Sequence, residues 1–374
     1  MLLFPNQITE PTGVTKNYIV HNRFVDKCIE NNIDLMKQIH SESLRAGLLY
    51  QPGSYWRTKT RNAVSEIKSK GLVDFRGFHN GAAASFGDNP SVDFRDQINS
   101  SIRNILFGRF IDLIKPFRMA FDEASGLAQI QFEVGLAYKN QFRLNDDKIV
   151  DLIYKYKHLE TLLGNPVDVI TTQDNFQFSN HYLDLIYSQQ NFDDYARFNE
   201  AHCFMEIGGG FGANVHILVE RFPNIKKILY VDISPNLYVA IQYLKAFYGK
   251  SVRYVSPSDT SRIEFSKTDE LEIICILPSS IEFTRASVDI FWNAHSFVEM
   301  PKEVVANYVR HVLRLQSKKG MRICLLSYEY FDSNTTFDPR SLSDFFEIDF
   351  VVSSVSTLSP TRNIHLCAHT FANP

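Results

Sequence analysis

From Cys203 to the C-terminus, short apolar runs alternate with stretches whose apolar residues return every three or four positions, and no other feature narrows the fold as far. CFMEI, KILYVDI, VRYVS, LEIICIL, VDIFWN and MRICLLS read as strands. Between them lie helical patterns: one with Val215, Leu218, Val219 and Phe222 on a single face, then NLYVAIQYLKAFYG, then EVVANYVRHVLRL. Ser234 and Pro235 open the second of these as a cap and a first-turn proline. Strands apolar on both faces, separated by helices, predict a mostly parallel sheet covered on both sides. The closing pair, FEIDFVVSSV and NIHLCAHTF, has no helix between its members, which predicts an antiparallel hairpin at one sheet edge.

The first half of the chain has a different pattern. Helical spacing runs through 17–44, 54–69, 93–117 and 147–165, and Gly164-Asn165-Pro166 supplies a stop for the last of these. The segment 71–90, rich in Gly, Asn and Ala, reads as an irregular loop. A chain of 374 residues with 44% hydrophobic content can fill two cores. The expected division is a mainly helical N-terminal lid or substrate domain, 1–197, and a Rossmann-like domain, 198–374.

Between the first strand and its helix stands MEIGGGFGANV, with glycine at 208, 209, 210 and 212. A strand that turns into a helix through glycines brings bare backbone N–H groups against a ligand, and a Cβ would block that approach. The spacing alone fits two cofactors. Gly208, Gly210 and Ala213 satisfy the dinucleotide pattern G-x-G-x-x-G/A, while Gly208, Gly210 and Gly212 satisfy G-x-G-x-G. Asp232, at the end of the next strand with Ile233 beside it, suits ribose hydroxyls in either case. Glu206 is the discriminating residue. A carboxylate leading into the loop repels a pyrophosphate, and it attracts the sulfonium and ammonium groups of S-adenosylmethionine.

The residues after VDIFWN add to this, because ligands of open α/β sheets lie beyond the carboxyl ends of the strands. Glu206-Ile-Gly-Gly-Gly-Phe-Gly212, Tyr230-Val-Asp232 and Asn293-x-x-Ser296-x-x-Glu299-Met300 together resemble the class I S-adenosylmethionine-dependent methyltransferases, and in particular the bacterial sugar O-methyltransferase family. Gly71-Leu-Val-Asp-Phe-Arg76, Phe86-Gly-Asp88 and Gly164-Asn165-Pro166 extend the likeness over most of the chain. The resemblance implies a seven-stranded sheet, S-adenosylmethionine as cofactor, and methylation of a hydroxyl on a sugar, nucleotide sugar or glycoside, as in polysaccharide biosynthesis. It implies cofactor contacts from Glu206, Gly208, Gly209, Gly210, Gly212, Asp232, Ile233 and Asn293. At the adenine end LEIICILPSS offers no acid, so contact there is expected from Pro278 and its neighbours.

Methyl transfer from sulfonium to oxygen needs alignment and a base for the hydroxyl proton. His295 and then Glu299 are the candidates, although Ser296-Phe-Val-Glu299 is also an S-x-x-E capping box. Polar groups at Arg76, His79, Asn80, Ser85 and Asp88, and acids at Glu329 and Asp332, are further acceptor-side candidates, and aromatics such as Tyr55 and Trp56 could stack on a sugar ring, although such residues more often belong to a core. A divalent metal is possible there, but no spacing demands it. The rival readings are an NAD-type oxidoreductase and a cofactor-binding adaptor without catalysis.

A net charge of -3 and no dominant Lys/Arg block argue against nucleic acid as a partner. No apolar run approaches the ~20 residues that span a bilayer, and MLLFPNQITEPTG lacks the pattern of a secretory signal, so a cytoplasmic location is expected. The five cysteines show no ligand spacing and read as core thiols.

Overall fold

The computed structural model describes residues 7–9, 15–18, 28–73, 75–76, 137, 140–166, 168–259, 262–328, 341, 344–346, 348–355 and 362–370. Two compact units divide the chain: residues 1–64 together with 184–374, and residues 65–183.

Besides a two-stranded parallel pair, β9 (Ile263–Glu264) and β11 (Thr284–Arg285), the larger unit is built on β6 (Cys203–Ile207), β7 (Lys227–Val231), β8 (Val252–Val255), β10 (Glu272–Ile276), β12 (Ile290–Ala294), β13 (Met321–Tyr328), β14 (Ile348–Val355) and β15 (Arg362–Thr370). Their order in the sheet is β14-β15-β13-β12-β6-β7-β10-β8. Six strands run parallel, and β15 pairs antiparallel with both β13 and β14. This is the expected α/β architecture, a mostly parallel sheet with a closing antiparallel hairpin. The strand count differs: the sheet has eight members, because β10 lies between β7 and β8 where a seven-stranded sheet was expected. Pairing between distant segments decides that order, and two equally apolar runs do not reveal it in advance.

Residues of β6 and β7 are buried throughout, as a sheet covered on both faces requires. Met205, Leu229, Ile274, Phe291 and Ile323 carry the core across the sheet. On one side Val305, Tyr308, Val309 and Val312 of the helix Lys302–Arg314 close over it. Burying each such side chain contributes about 1.5–3 kcal/mol. Among the described residues Cys203, Cys275, Cys324 and Cys367 are buried thiols outside any disulfide, and burial pushes the Cys275 thiol up to about 12. They are core thiols.

The N-terminal part of this unit corrects one expectation. Helical spacing was read from residue 17, yet β2 (Thr15–Tyr18) and β3 (Cys28–Asn31) pair antiparallel, with β1 (Gln7–Thr9) on the other side of β2. Helix α1 begins only at Ile33 and ends at Leu44; the Asn32 side chain caps it by accepting from Leu35 N at 3.0 Å. Helix α2 covers Ser54–Lys70, as the periodicity predicts.

The smaller unit contains helix α3 (Asp147–Tyr156) and the antiparallel pair β4 (Val169–Thr171) and β5 (Gln177–Ser179). The helix stops eight residues before Gly164. Glu160 draws the backbone off its helical path, since its carboxylate accepts from Thr161 N (3.0 Å) and Leu162 N (2.8 Å). Helix α4 (Asn180–Ala196) had no counterpart in the sequence reading. Arg76, expected on a polar loop, is instead buried: it donates to Ser179 Oγ at 2.8 Å and lies 4.0 Å from Glu160. His79, Asn80, Ser85, Asp88, Glu329, Asp332 and the periodic segment 93–117 lie outside the described residues.

Candidate functional site

Strand β6 delivers the glycine loop to the carboxyl edge of the sheet. Gly208 N donates to Val231 O at 2.8 Å, so the loop leaves β6 in register with β7. Gly208, Gly210 and Gly212 have positive φ (75°, 66° and 88°), and helix α5 (Ala213–Arg221) starts directly behind them with no side-chain cap. Gly209 is needed for space. A Cβ on it would stand 2.6 Å from both the Glu206 carboxyl carbon and the Tyr230 ring. The loop therefore lies directly on the Glu206 carboxyl group.

Glu206 is 1% exposed. One oxygen accepts from Asn214 Nδ2 at 2.9 Å, and the other is buried without a hydrogen-bond partner. Burial pushes this carboxyl up to about 8; the Asn214 amide opposes the shift and the Asp232 charge adds to it. Asp232 is equally deep in the edge. Its two oxygens accept from Gly210 N (2.9 Å) and Ile233 N (2.7 Å), and the Tyr230 hydroxyl lies 3.3 Å away. Burial pushes it up to about 7 against these donors, and repulsion from Glu299 contributes. A carboxylate has about four acceptor positions, so room remains on Asp232 for a ligand hydroxyl. Among the described residues no Lys or Arg forms an ion pair with Glu206 or Asp232.

Beyond β12, Asn293 Nδ2 donates to Ile207 O (2.9 Å), and the Ser296 hydroxyl donates to the same carbonyl at 3.2 Å. These bonds join the β12 loop to the root of the glycine loop. The capping box does not form: the 3₁₀ turn Phe297–Glu299 has no side-chain cap, and Glu299 Oε2 instead accepts from Trp56 Nε1 at 2.7 Å. His295 holds φ at 62°, a strained conformation for a residue with a side chain, while its N–H still donates to Leu326 O at 2.8 Å.

The structure thus gathers Glu206, Gly208, Gly209, Gly210, Gly212, Asp232, Ile233 and Asn293 around one loop, with Glu299 near enough to repel Asp232. Pro278 opens a buried 3₁₀ turn after β10, the strand next to β7. Two residues escaped sequence reasoning as site groups. Tyr230, whose hydroxyl donates to Gly210 O at 2.8 Å, was signalled by its position two before Asp232, on the same strand face. Asn214, a polar residue in the first turn of an otherwise apolar helix, also left a signal. Trp56, expected only as a ring that could stack on a sugar, instead donates to Glu299, and nothing in the sequence signalled that bond. Among the described residues no group of three or more His, Cys, Asp or Glu could hold a metal ion.

No protein-family model matches the chain, and no curated protein matches it. Solved structures do. The pyocyanin biosynthetic protein PhzM aligns with 11% identity and a TM-score of 0.35, over 50% of this chain and 55% of that one. The mitomycin 7-O-methyltransferase MmcR aligns with 12% identity and a TM-score of 0.32, over 50% and 54%. The magnesium protoporphyrin IX methyltransferase from Synechocystis PCC 6803, with bound SAM, gives 12% identity and a TM-score of 0.33, over 50% and 80%. The matched region is about half of this chain and about half of the first two proteins.

Proposed function

We propose that the chain is an S-adenosylmethionine-dependent O-methyltransferase whose acceptor is a hydroxyl of a sugar, nucleotide sugar or glycoside. The observation that carries the cofactor assignment is the buried, unmet oxygen of Glu206 beneath a glycine loop, with Asp232 beside it and no Lys or Arg ion-paired to either among the described residues. Two carboxyls crowded out of water favour a cation and disfavour a second anion. The sugar as acceptor rests on the sequence resemblance alone.

When bound, the cofactor supplies an electrophilic methyl group on a sulfonium. The residues do the rest. Glu206, beneath the loop, would take the methionine ammonium, and backbone N–H groups at the α5 N-terminus would hold the methionine carboxylate. Asp232 would take the ribose hydroxyls, and Ile233 and Pro278 would flank the adenine. Asn293 would border the methionine half. His295 or Glu299 would take the acceptor's hydroxyl proton. In this reading residues 1–197 contribute the acceptor side and 198–374 the cofactor.

Calorimetry tests the cofactor and its rival together. Binding a cation should ionise Glu206 and Asp232, so S-adenosylmethionine should release protons and bind more tightly as pH rises from 6 to 8.5, by about tenfold. Binding of NAD, a dianion at the pyrophosphate, would take protons up and weaken with rising pH. No binding of S-adenosylmethionine at millimolar concentration, or binding that weakens as pH rises, overturns the assignment. The acceptor is tested by methyl transfer to a panel of sugar nucleotides and glycosides.

A further inference from the structure

The N-terminal segment 40–56 bonds to four strand-end loops of its own unit. His40 Nδ1 and Ser234 Oγ share a hydrogen bond of 3.3 Å just past β7. The Glu42 carboxylate accepts from Ser256 Oγ at 2.7 Å and from the Tyr254 hydroxyl at the end of β8. Tyr50 donates to Glu282 Oε1 at 2.5 Å in the turn after β10. Trp56 donates to Glu299 Oε2 at 2.7 Å after β12, and Gly53 packs against the Glu299 carbonyl and Pro301. The segment is a strap along the edge where ligands of such sheets lie.

The fourth bond differs from the rest. It ends on a carboxylate of the β12 loop, which Asn293 and Ser296 tie to Ile207 O at the root of the glycine loop, and the charge of that carboxylate helps to raise Asp232. Two like charges held toward each other in a partly dry edge are unfavourable until a cation lies between them. The unmet oxygen of Glu206 lies under the same loop that Asp232 binds through Gly210. An indole N–H has one donor and a fixed direction, so it can hold a carboxylate without neutralising it.

We propose that Trp56 is a positioning residue: its N–H holds the Glu299 carboxylate toward the sulfonium-bearing half of the bound cofactor, so the strap completes the site as well as covering it. This rests on the cofactor reading above. Nothing in it requires the acceptor to be known, because the cofactor and its demethylated product, S-adenosylhomocysteine, differ by the sulfonium charge that Glu299 would sense.

The experiment is calorimetry of both ligands with the full chain, Trp56→Phe, Glu299→Gln and the double variant. Phenylalanine keeps an aromatic ring under the Lys59 ammonium, which lies 5.6 Å from the Trp56 ring centre, while removing the N–H donor and one ring of the indole. Each single variant should lower the ratio of S-adenosylmethionine to S-adenosylhomocysteine affinity by about three- to tenfold. Affinity for S-adenosylhomocysteine should stay within about twofold, and the double variant should match Glu299→Gln. Equal weakening of both ligands, or an unchanged ratio, overturns the inference alone. Failure of the wild-type chain to bind either ligand overturns the cofactor reading and this inference with it.

Discussion

Two glutamates are buried to nearly the same depth, Glu160 at 2% exposure in the smaller unit and Glu206 at 1% in the larger, and their surroundings are opposite. Glu160 accepts three backbone N–H groups, from Thr161, Leu162 and Ser179, with Arg76 at 4.0 Å. Glu206 accepts one side-chain amide and has an oxygen with no donor. The first arrangement satisfies a charge inside the protein. The second leaves a carboxyl whose ionised form only something from outside can satisfy. Burial alone therefore does not separate a fastener from a binding group, whereas the tally of donors does.

The largest effect should come from breaking the satisfied glutamate. Glu160→Ala strips three backbone donors of their acceptor and leaves Arg76 buried beside no carboxylate, which should cost about 3–5 kcal/mol of stability in urea unfolding. A loss below ~1 kcal/mol would mean that the network around Arg76 rearranges at little expense, and the contrast with Glu206 would collapse.

Glu206→Gln should behave in the opposite way. A carboxyl moved from 4.5 to about 8 on folding stabilises the fold below pH 4.5, and that contribution is lost as pH rises through about 8. Glutamine keeps an acceptor for Asn214 and has no charge to bury. The variant should equal the wild type near pH 5 and exceed it by ~1–3 kcal/mol at pH 9, while binding S-adenosylmethionine at least tenfold more weakly. Melting temperature followed against pH for both proteins checks the sign. Parallel curves would show that Glu206 is satisfied by a donor other than Asn214.

The contrast also shows how much was legible. The eight strands of the large sheet were readable because a sheet covered on both faces leaves apolar runs with little ambiguity, and the loop at 208–212 because only glycine fits there. The place of β10 was not readable. The search for an acid at the third strand consequently fell on Leu277 and Pro278, although the observed edge strand β8 leads into Ser256 and Asp259. Short local spacing misled at residues 17–31, where pairing of β2 with β3 overrode a helical pattern. Ser296 and Glu299 satisfied a capping box on paper, yet a tryptophan 243 positions away took the carboxylate. Bonds between residues so far apart in sequence leave no periodic signal. That is why the Trp56–Glu299, Glu42–Ser256 and Arg76–Glu160 pairings were out of reach.

The smallest effect concerns how the single donor to Glu206 is held. Gln189 Nε2 donates to Asn214 Oδ1 at 2.8 Å, and Arg221 donates to Gln189 Oε1 at 2.8 Å. With its oxygen engaged by Gln189, the Asn214 amide must turn its NH₂ toward Glu206. Orientation, and not proximity alone, keeps that bond. Backbone donors to Glu160 need no such support, because the chain itself fixes them. Gln189→Met preserves side-chain length and removes the constraint, so Asn214 should sample the flipped amide, which presents an acceptor to a carboxylate. Glu206 should then be harder to ionise, and S-adenosylmethionine affinity at pH 7 should fall by about two- to threefold. Raising the pH to 9 should restore it, because there the proton no longer competes with the cation. A loss that persists at pH 9 would mean that Gln189 supports the loop through packing, and that the orientation of Asn214 contributes nothing to how Glu206 meets its ligand.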